Sequence, residues 1–200
     1  MPKAKRSKVA ACVYRLLPSR LARRFAQERD GSVAVEFAFV AIPFLALTFA
    51  IMESALVFFA GQTLESSVQD AARLIMTGQA QNGGWDANQF KQQVCQRMNG
   101  GLFDCANSLY IDVKTYNDFN SITNEPPPVT NGQVDPSKMN FSTGIPGSIE
   151  VVRFYYQWPI YVSLLSDNLA TLSGNYRMLV ATAVFCNEPY STQSPASTCH

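Results

Sequence analysis

The sequence predicts an α+β chain in which a long N-terminal transmembrane helix continues into a domain with a small antiparallel sheet. Three observations carry this. Residues 37–52 hold no charge, and the apolar character resumes after Glu53 through Leu56, Val57, Phe58, Phe59 and Ala60. Next, Leu64, Val68, Ala71 and Ile75 recur at spacings of four, three and four, which is one face of an α-helix. Finally, residues 109–116, 149–156 and 176–185 are rich in β-formers and alternate as strands do.

Taken as one helix, residues 37–60 would extend about 36 Å, enough to cross a hydrocarbon core of about 30 Å. The formal net charge of +1 conceals a strong asymmetry. Lys3, Lys5, Arg6, Lys8, Arg15, Arg20, Arg23, Arg24 and Arg29 precede Gly31 and face only Glu28 and Asp30, whereas acidic residues outnumber basic ones in the rest of the chain. Basic flanks stay in the cytoplasm, so the tail points inward and the domain outward. A buried helix of a soluble core rarely carries so one-sided a flank. A cleaved secretory signal would have a shorter apolar region that opens into a loop, whereas here the helical pattern persists. Residues 1–31 therefore read as a basic cytoplasmic leader, 32–78 as a transmembrane and amphipathic helix, and 79–200 as a periplasmic α+β domain. Pro43 removes one backbone donor inside the membrane helix, a defect that bilayer helices tolerate when neighbours compensate.

Beyond the helix, Gly78, Gly83 and Gly84 mark a turn-rich break. Asp86 is placed as the N-cap of a short helix over 86–98, stopped by Gly100 and Gly101. Residues 117–148, with Pro126, Pro127 and Pro128, read as a surface excursion, partly polyproline-like. Residues 164–172 suit a short helix between the last two strands. Asp70 and Arg73 have the i,i+3 spacing of an ion pair. The aromatic run Phe154, Tyr155, Tyr156 and Trp158 offers an adhesive surface, although on an alternating strand one face is expected in a core and the other in cross-strand pairing.

Two carboxylates sit at the ends of the apolar segment, and an ionisable group in a membrane helix is a functional candidate by default. Glu53 lies seventeen residues beyond Glu36, so the two can occupy opposite interfaces. Glu36 follows five residues after Gly31, with the apolar run starting between them. This arrangement resembles the processing site of type IV pilin-like proteins, in which a prepilin peptidase cuts after the glycine. Such a cut would give Ser32 a free α-amino group with a pKa of about 8, mostly protonated at neutral pH. Ser32 and Glu36 are i and i+4 on one helix face. In a helical assembly the amine of one subunit can neutralise the glutamate of its neighbour and turn a costly charge into a registry contact. Gly31 keeps the backbone unhindered at the cut.

The wider pattern narrows the family. Arg24-Phe25, the run from Gly31 and Ser32 through Glu36, Phe37 and Ala38, Pro43, Ile51-Met52-Glu53 and Asp70-Ala71-Ala72-Arg73 together resemble the TadE-like family. Its members are minor pseudopilins of the tight adherence (Flp, type IVb) pilus. The ending Phe185-Cys186-Asn187-Glu188-Pro189-Tyr190 is similar to the family's as well. The leader is long, and Ser32 stands where classical pilins carry phenylalanine. The resemblance implies a pilin-like domain, a prepilin peptidase as processing partner, and other pilins and pseudopilins as assembly partners in the bacterial inner membrane. It leaves open whether the chain enters a surface pilus or only primes one.

The cysteines divide by compartment. Cys12 lies in the leader as a free thiol, while Cys95, Cys105, Cys186 and Cys199 fall on the oxidising side, an even number that admits three pairings. Proximity favours Cys95 with Cys105 and Cys186 with Cys199. No pair has the spacing of a zinc site, and the only histidine is His200, so neither metal nor cofactor is expected. With no glycine-rich phosphate loop and no catalytic constellation, an enzyme is not expected either. The charge of the domain gives no reason to propose nucleic acid as a partner; the bilayer is one. The competing reading is an uncleaved bitopic protein whose periplasmic domain binds a partner or ligand, and a tethered periplasmic enzyme ranks third.

Overall fold

In the computed structural model the described residues are 30–98, 103–122, 125–162 and 169–190. The fold is α+β: a long apolar N-terminal helix followed by a small antiparallel sheet. The basic leader, Cys12, Cys199 and most of the helix expected over 164–172 lie outside the described residues.

Helix α1 spans Asp30–Met76 and stays helical through Pro43. It ends where Gly78 adopts a φ of 76° and its N–H donates to Ile75 O at 2.9 Å. Only a residue without a Cβ takes that left-handed conformation cheaply, which makes Gly78 the stop signal. The chain divides into two compact units, Met1–Phe49 and Ala50–His200, with the boundary inside α1.

In the first unit α1 shows apolar side chains on every side. Phe37, Phe39 and Val40 are 72%, 74% and 70% exposed, and Ile42, Phe44, Leu45 and Leu47 are exposed beside them. A helix apolar around its whole circumference needs lipid or other apolar helices about it. Among the described residues it is the one helix long and apolar enough to cross a membrane.

In the second unit α1 becomes amphipathic. Val57, Ala60, Leu64, Val68, Ala71 and Ile75, spaced by three and four residues, are buried on one face. The expected stripe was Leu64 to Ile75; the structure extends it a further two turns toward the membrane segment. This face shares one core with the sheet and with α3. The four-residue α2 (Gln79–Asn82) follows the stop, and α3 (Ala87–Arg97) starts at Asp86, whose carboxylate accepts from Gln89 N while the Gln89 side chain accepts from Asp86 N. That reciprocal capping satisfies two of the donors that every helix start leaves open. Phe90 and Val94 of α3 point into the core. A one-turn helix, α4 (Cys105–Ser108), is held to α3 by a disulfide between Cys95 and Cys105.

The sheet has the order β1 (Leu109–Tyr116), β4 (Ile149–Pro159), β5 (Tyr176–Cys186), antiparallel throughout. Its helix-facing side holds Leu109 and Val113 of β1, Val152, Phe154, Tyr156 and Trp158 of β4, and Ala181 and Ala183 of β5. Each large apolar side chain removed from water here contributes about 1.5–3 kcal/mol. On β5 the small Ala181 lies opposite Phe154 and Ala183 opposite Val152, which lets the two rows fit.

Strand β4 is buried at every position from Ile149 to Tyr156, which rules out the adhesive reading of the aromatic run; as expected of an alternating strand, Phe154, Tyr156 and Trp158 enter the core while Tyr155 pairs across to Tyr110 and Val180. Two expectations need correction. The segment 117–148 is not merely an irregular excursion. It contains the hairpin β2 (Val129–Thr130) and β3 (Gln133–Val134), turned by Asn131 at φ 53° and Gly132 at φ 74°, the left-handed pair that a two-residue hairpin favours. It then returns along β1, where Val113 N–H donates to Asn140 O at 2.8 Å and Ser142 N–H to Val113 O at 3.0 Å. Strands of two residues are too short to register as an alternating pattern. Lastly, ion pairs among the described residues are confined to Asp112, Lys114, Glu125 and Arg153, and Asp70 and Arg73 do not form one. Both are exposed, and a helix-surface pair gains only about 0.2–0.5 kcal/mol against the freedom it gives up.

Candidate functional site

The candidate processing and assembly residues, Gly31, Ser32, Glu36 and Phe37, all lie in the first turns of α1. A Cβ built on Gly31 meets nothing within 4 Å, so folding does not demand a glycine there. Ser32 and Glu36 are one helical turn apart along the same face. Glu36 and Phe37 are exposed. The structure therefore brings these four positions together by helical spacing.

Glu53 behaves differently. It is 4% exposed, the first buried residue of α1 among those whose burial is described, and its Oε1 accepts from Tyr161 N–H at 3.4 Å. The segment leaving β4 thus covers it. The sequence offered Glu53 an interface position opposite that of Glu36; the structure adds a partner for it in the domain. The signal was its place just before the buried stripe, within one turn of Val57.

Two polar clusters escaped the sequence. On the outer side of the sheet, Arg153 Nη1 lies 3.8 Å from Asp112 Oδ2 and 3.3 Å from Glu125 Oε2, while Lys114 Nζ lies 3.7 Å from Asp112 Oδ2 and bonds Glu125. Asp112 also accepts from Asn140 N–H at 2.7 Å. The hydrogen bond from Lys114 holds the Glu125 carboxyl below the usual carboxylate range. A hollow of about 320 Å³ beside this cluster is lined by Lys114, Glu125, the three prolines and Tyr155. Its charges already neutralise one another, which leaves it little to offer a charged ligand.

The second cluster gathers where the C-terminal end of β5 meets the end of α1. Glu150 is 0% exposed and accepts from Ser148 Oγ at 2.8 Å and Thr115 Oγ1 at 3.1 Å. It forms no ion pair with the described residues, and burial pushes its carboxyl up to about 7 against the two hydroxyl donors. Asn187, also buried, donates through Nδ2 to Thr143 O at 2.9 Å and Ile145 O at 3.2 Å. Glu188 N–H donates to Met76 O at 2.9 Å, and the Tyr190 ring lies over Gly78, where an added Cβ would come within 2.3 Å. The family-like ending over 185–190 therefore clasps the stop of α1. Cys186 is disulfide-bonded; Cys199, with which the sequence pairs it, lies outside the described residues. Among the described residues no group of His, Cys, Asp and Glu is placed to hold a metal ion.

Residues 31–73 match the model of a family described as TadE-like protein. This is the family that the sequence resembles. The match opens at the candidate cleavage glycine and closes within the buried stripe of α1. No curated protein and no solved structure matches the chain.

Proposed function

We propose that this chain, with its TadE-like segment over residues 31–73, is a minor pseudopilin processed after Gly31 and taking part in assembly of a tight adherence pilus. The observation that carries the reading is the coincidence, at one helix end, of the family match, the glycine and a predominantly apolar exposed surface. Val33 to Phe59 presents exposed Phe, Val, Ile and Leu side chains around α1, a surface suited first to lipid and then to the helices of neighbouring subunits.

In this reading the leader stays in the cytoplasm, the helix crosses the inner membrane, and the domain lies in the periplasm. A prepilin peptidase hydrolyses the Gly31–Ser32 bond. The new Ser32 ammonium then pairs with Glu36 of an adjacent subunit, so that a misregistered helix would hold an uncompensated carboxylate in an apolar bundle. Truncating one partner of such a desolvated pair costs about 3–5 kcal/mol, enough to select one register. No catalytic role is assigned to the chain itself.

N-terminal mass spectrometry on protein from its native membrane tests the reading. A mature chain beginning at Ser32 is expected, and an intact leader in the presence of the peptidase would favour an uncleaved bitopic protein. Gly31→Ala is expected to block processing without unfolding the protein, because its methyl group has open space. Glu36→Ala is expected to be processed and to fail in assembly; normal piliation in that strain would remove the registry contact from the mechanism.

A further inference from the structure

The two edges of the sheet are treated differently. Along β1, residues 140–142 cover the outer backbone groups at Val113. Along β5, the described residues take the outward side only at its start: Tyr176 C=O accepts from Thr171 and Leu172 N–H, and Met178 N–H donates to Thr171 Oγ1 at 2.8 Å. Backbone groups alternate sides along a strand, so those of Val180, Thr182 and Val184 point outward as well. Among the described residues nothing pairs with them. The Val180 and Val184 side chains are 45% and 46% exposed, and Thr182 is exposed between them.

Natural edge strands are blunted by charges, prolines or bulges. This one has none from Met178 to Asn187. Its sequence is also a palindrome about Thr182: Val180-Ala181-Thr182-Ala183-Val184, flanked by Leu179 and Phe185. We infer that the β5 edge is a self-association surface, at which a second copy of this chain adds its own β5 antiparallel about a two-fold axis through Thr182.

The geometry is self-consistent. Pairing about Thr182 sets Thr182 against its own copy and Val180 against Val184, all with outward backbone groups, giving about six inter-strand hydrogen bonds. Cross-strand Thr–Thr and valine pairs are favourable, and no like charges fall opposite one another. The charges that bracket the strand, Arg177 and Glu188, differ in sign, so antiparallel pairing brings the basic end of one copy to the acidic end of the other. A two-fold contact of this kind closes on itself and consumes the open edge, which removes the template for unlimited strand addition. The inference rests on the domain alone and is independent of processing at Gly31.

Cysteine cross-linking of the full chain in native membranes, in a Cys12→Ser background, tests it. Thr182→Cys is expected to give a disulfide-linked dimer, since directly paired residues lie about 5.5 Å apart between Cα atoms. Val180→Cys alone is not, because its two copies would stand about 14 Å apart, but Val180→Cys mixed with Val184→Cys should cross-link. The Thr182→Cys dimer is expected at roughly ten times the yield of Val180→Cys, given the steep distance limit of the bond. Equal yields from Thr182→Cys and Val180→Cys, or a Thr182→Cys adduct only to a different protein, would overturn the two-fold pairing. A second arm uses Thr182→Lys, which sets two ammonium groups face to face; it should abolish the dimer while Trp158 fluorescence stays native. A dimer that survives this substitution counts against the inference.

Discussion

Glu150 makes the stability of the domain depend on pH in an unusual direction. Its carboxyl is fully buried, receives two hydroxyl hydrogen bonds and has no cation within the described residues to offset its charge. The titratable group facing it is Tyr190, which burial and then Glu150 itself push upward; Asn187, Ser148 and Thr115 are neutral. The carboxyl of Glu150 is raised from 4.5 to about 7. A raised carboxyl means that the folded state holds the proton more tightly than the unfolded chain. The stabilisation is therefore complete below pH 4.5 and is lost as pH rises through 7. At about 1.4 kcal/mol per unit the full loss is about 3 kcal/mol, of which about 2 falls between pH 5 and pH 8. Glu150→Gln mimics the protonated side chain: its carbonyl can accept from Ser148 and its amide can donate to Thr115. It should match the wild type near pH 5 and exceed it at pH 8, with a melting temperature higher by roughly 4–8 °C for a domain of this size. Thermal unfolding of the full chain in detergent, followed through buried Trp158, reads the difference. The carboxylates held by donors, Glu125 and Asp135, are lowered and act in the opposite sense, and they cancel between wild type and variant. Parallel pH profiles for the two proteins would refute the reasoning.

The paired substitution Cys95→Ser and Cys105→Ser opens the loop closed by the disulfide, whose ends are 10 residues apart. A loss of about 2–3 kcal/mol is expected from chain entropy, measured by denaturant unfolding. The loop carries Phe103, whose ring sits 5.2 Å from Tyr156 and 5.8 Å from Trp158, so near-ultraviolet circular dichroism should weaken as well. Gly78→Ala combines a φ of 76° with a methyl directed at the Tyr190 ring and should cost about 1–3 kcal/mol. Gly84→Ala, at φ 59° with open space around it, isolates the backbone strain. Equal losses at the two glycines would show that Tyr190 does not clasp the end of α1.

Much of this was legible in the chain itself because it depends on near neighbours. The apolar run, the buried stripe at helical spacing, the Asp86 cap and the Gly78 stop are all set by residues within a few positions of each other. So are the Gly31, Ser32 and Glu36 spacing and the three main strands. Proximity also favoured Cys95 with Cys105, and the disulfide is there in the fold.

What the tertiary structure alone decided involves residues far apart in sequence. That β4 would be central, and so buried on both faces, followed from where β5 and the 117–148 segment settled. The pairing of Asp112 with Arg153, the covering of Glu53 by Tyr161 and the seating of Tyr190 on Gly78 join residues from 41 to 112 positions apart. A carboxylate such as Glu150 looks like any surface acid in the sequence, because desolvation belongs to its surroundings and not to its spacing. Local periodicity fixes which face an element shows; which neighbour covers that face is settled only when the elements compete for the same core.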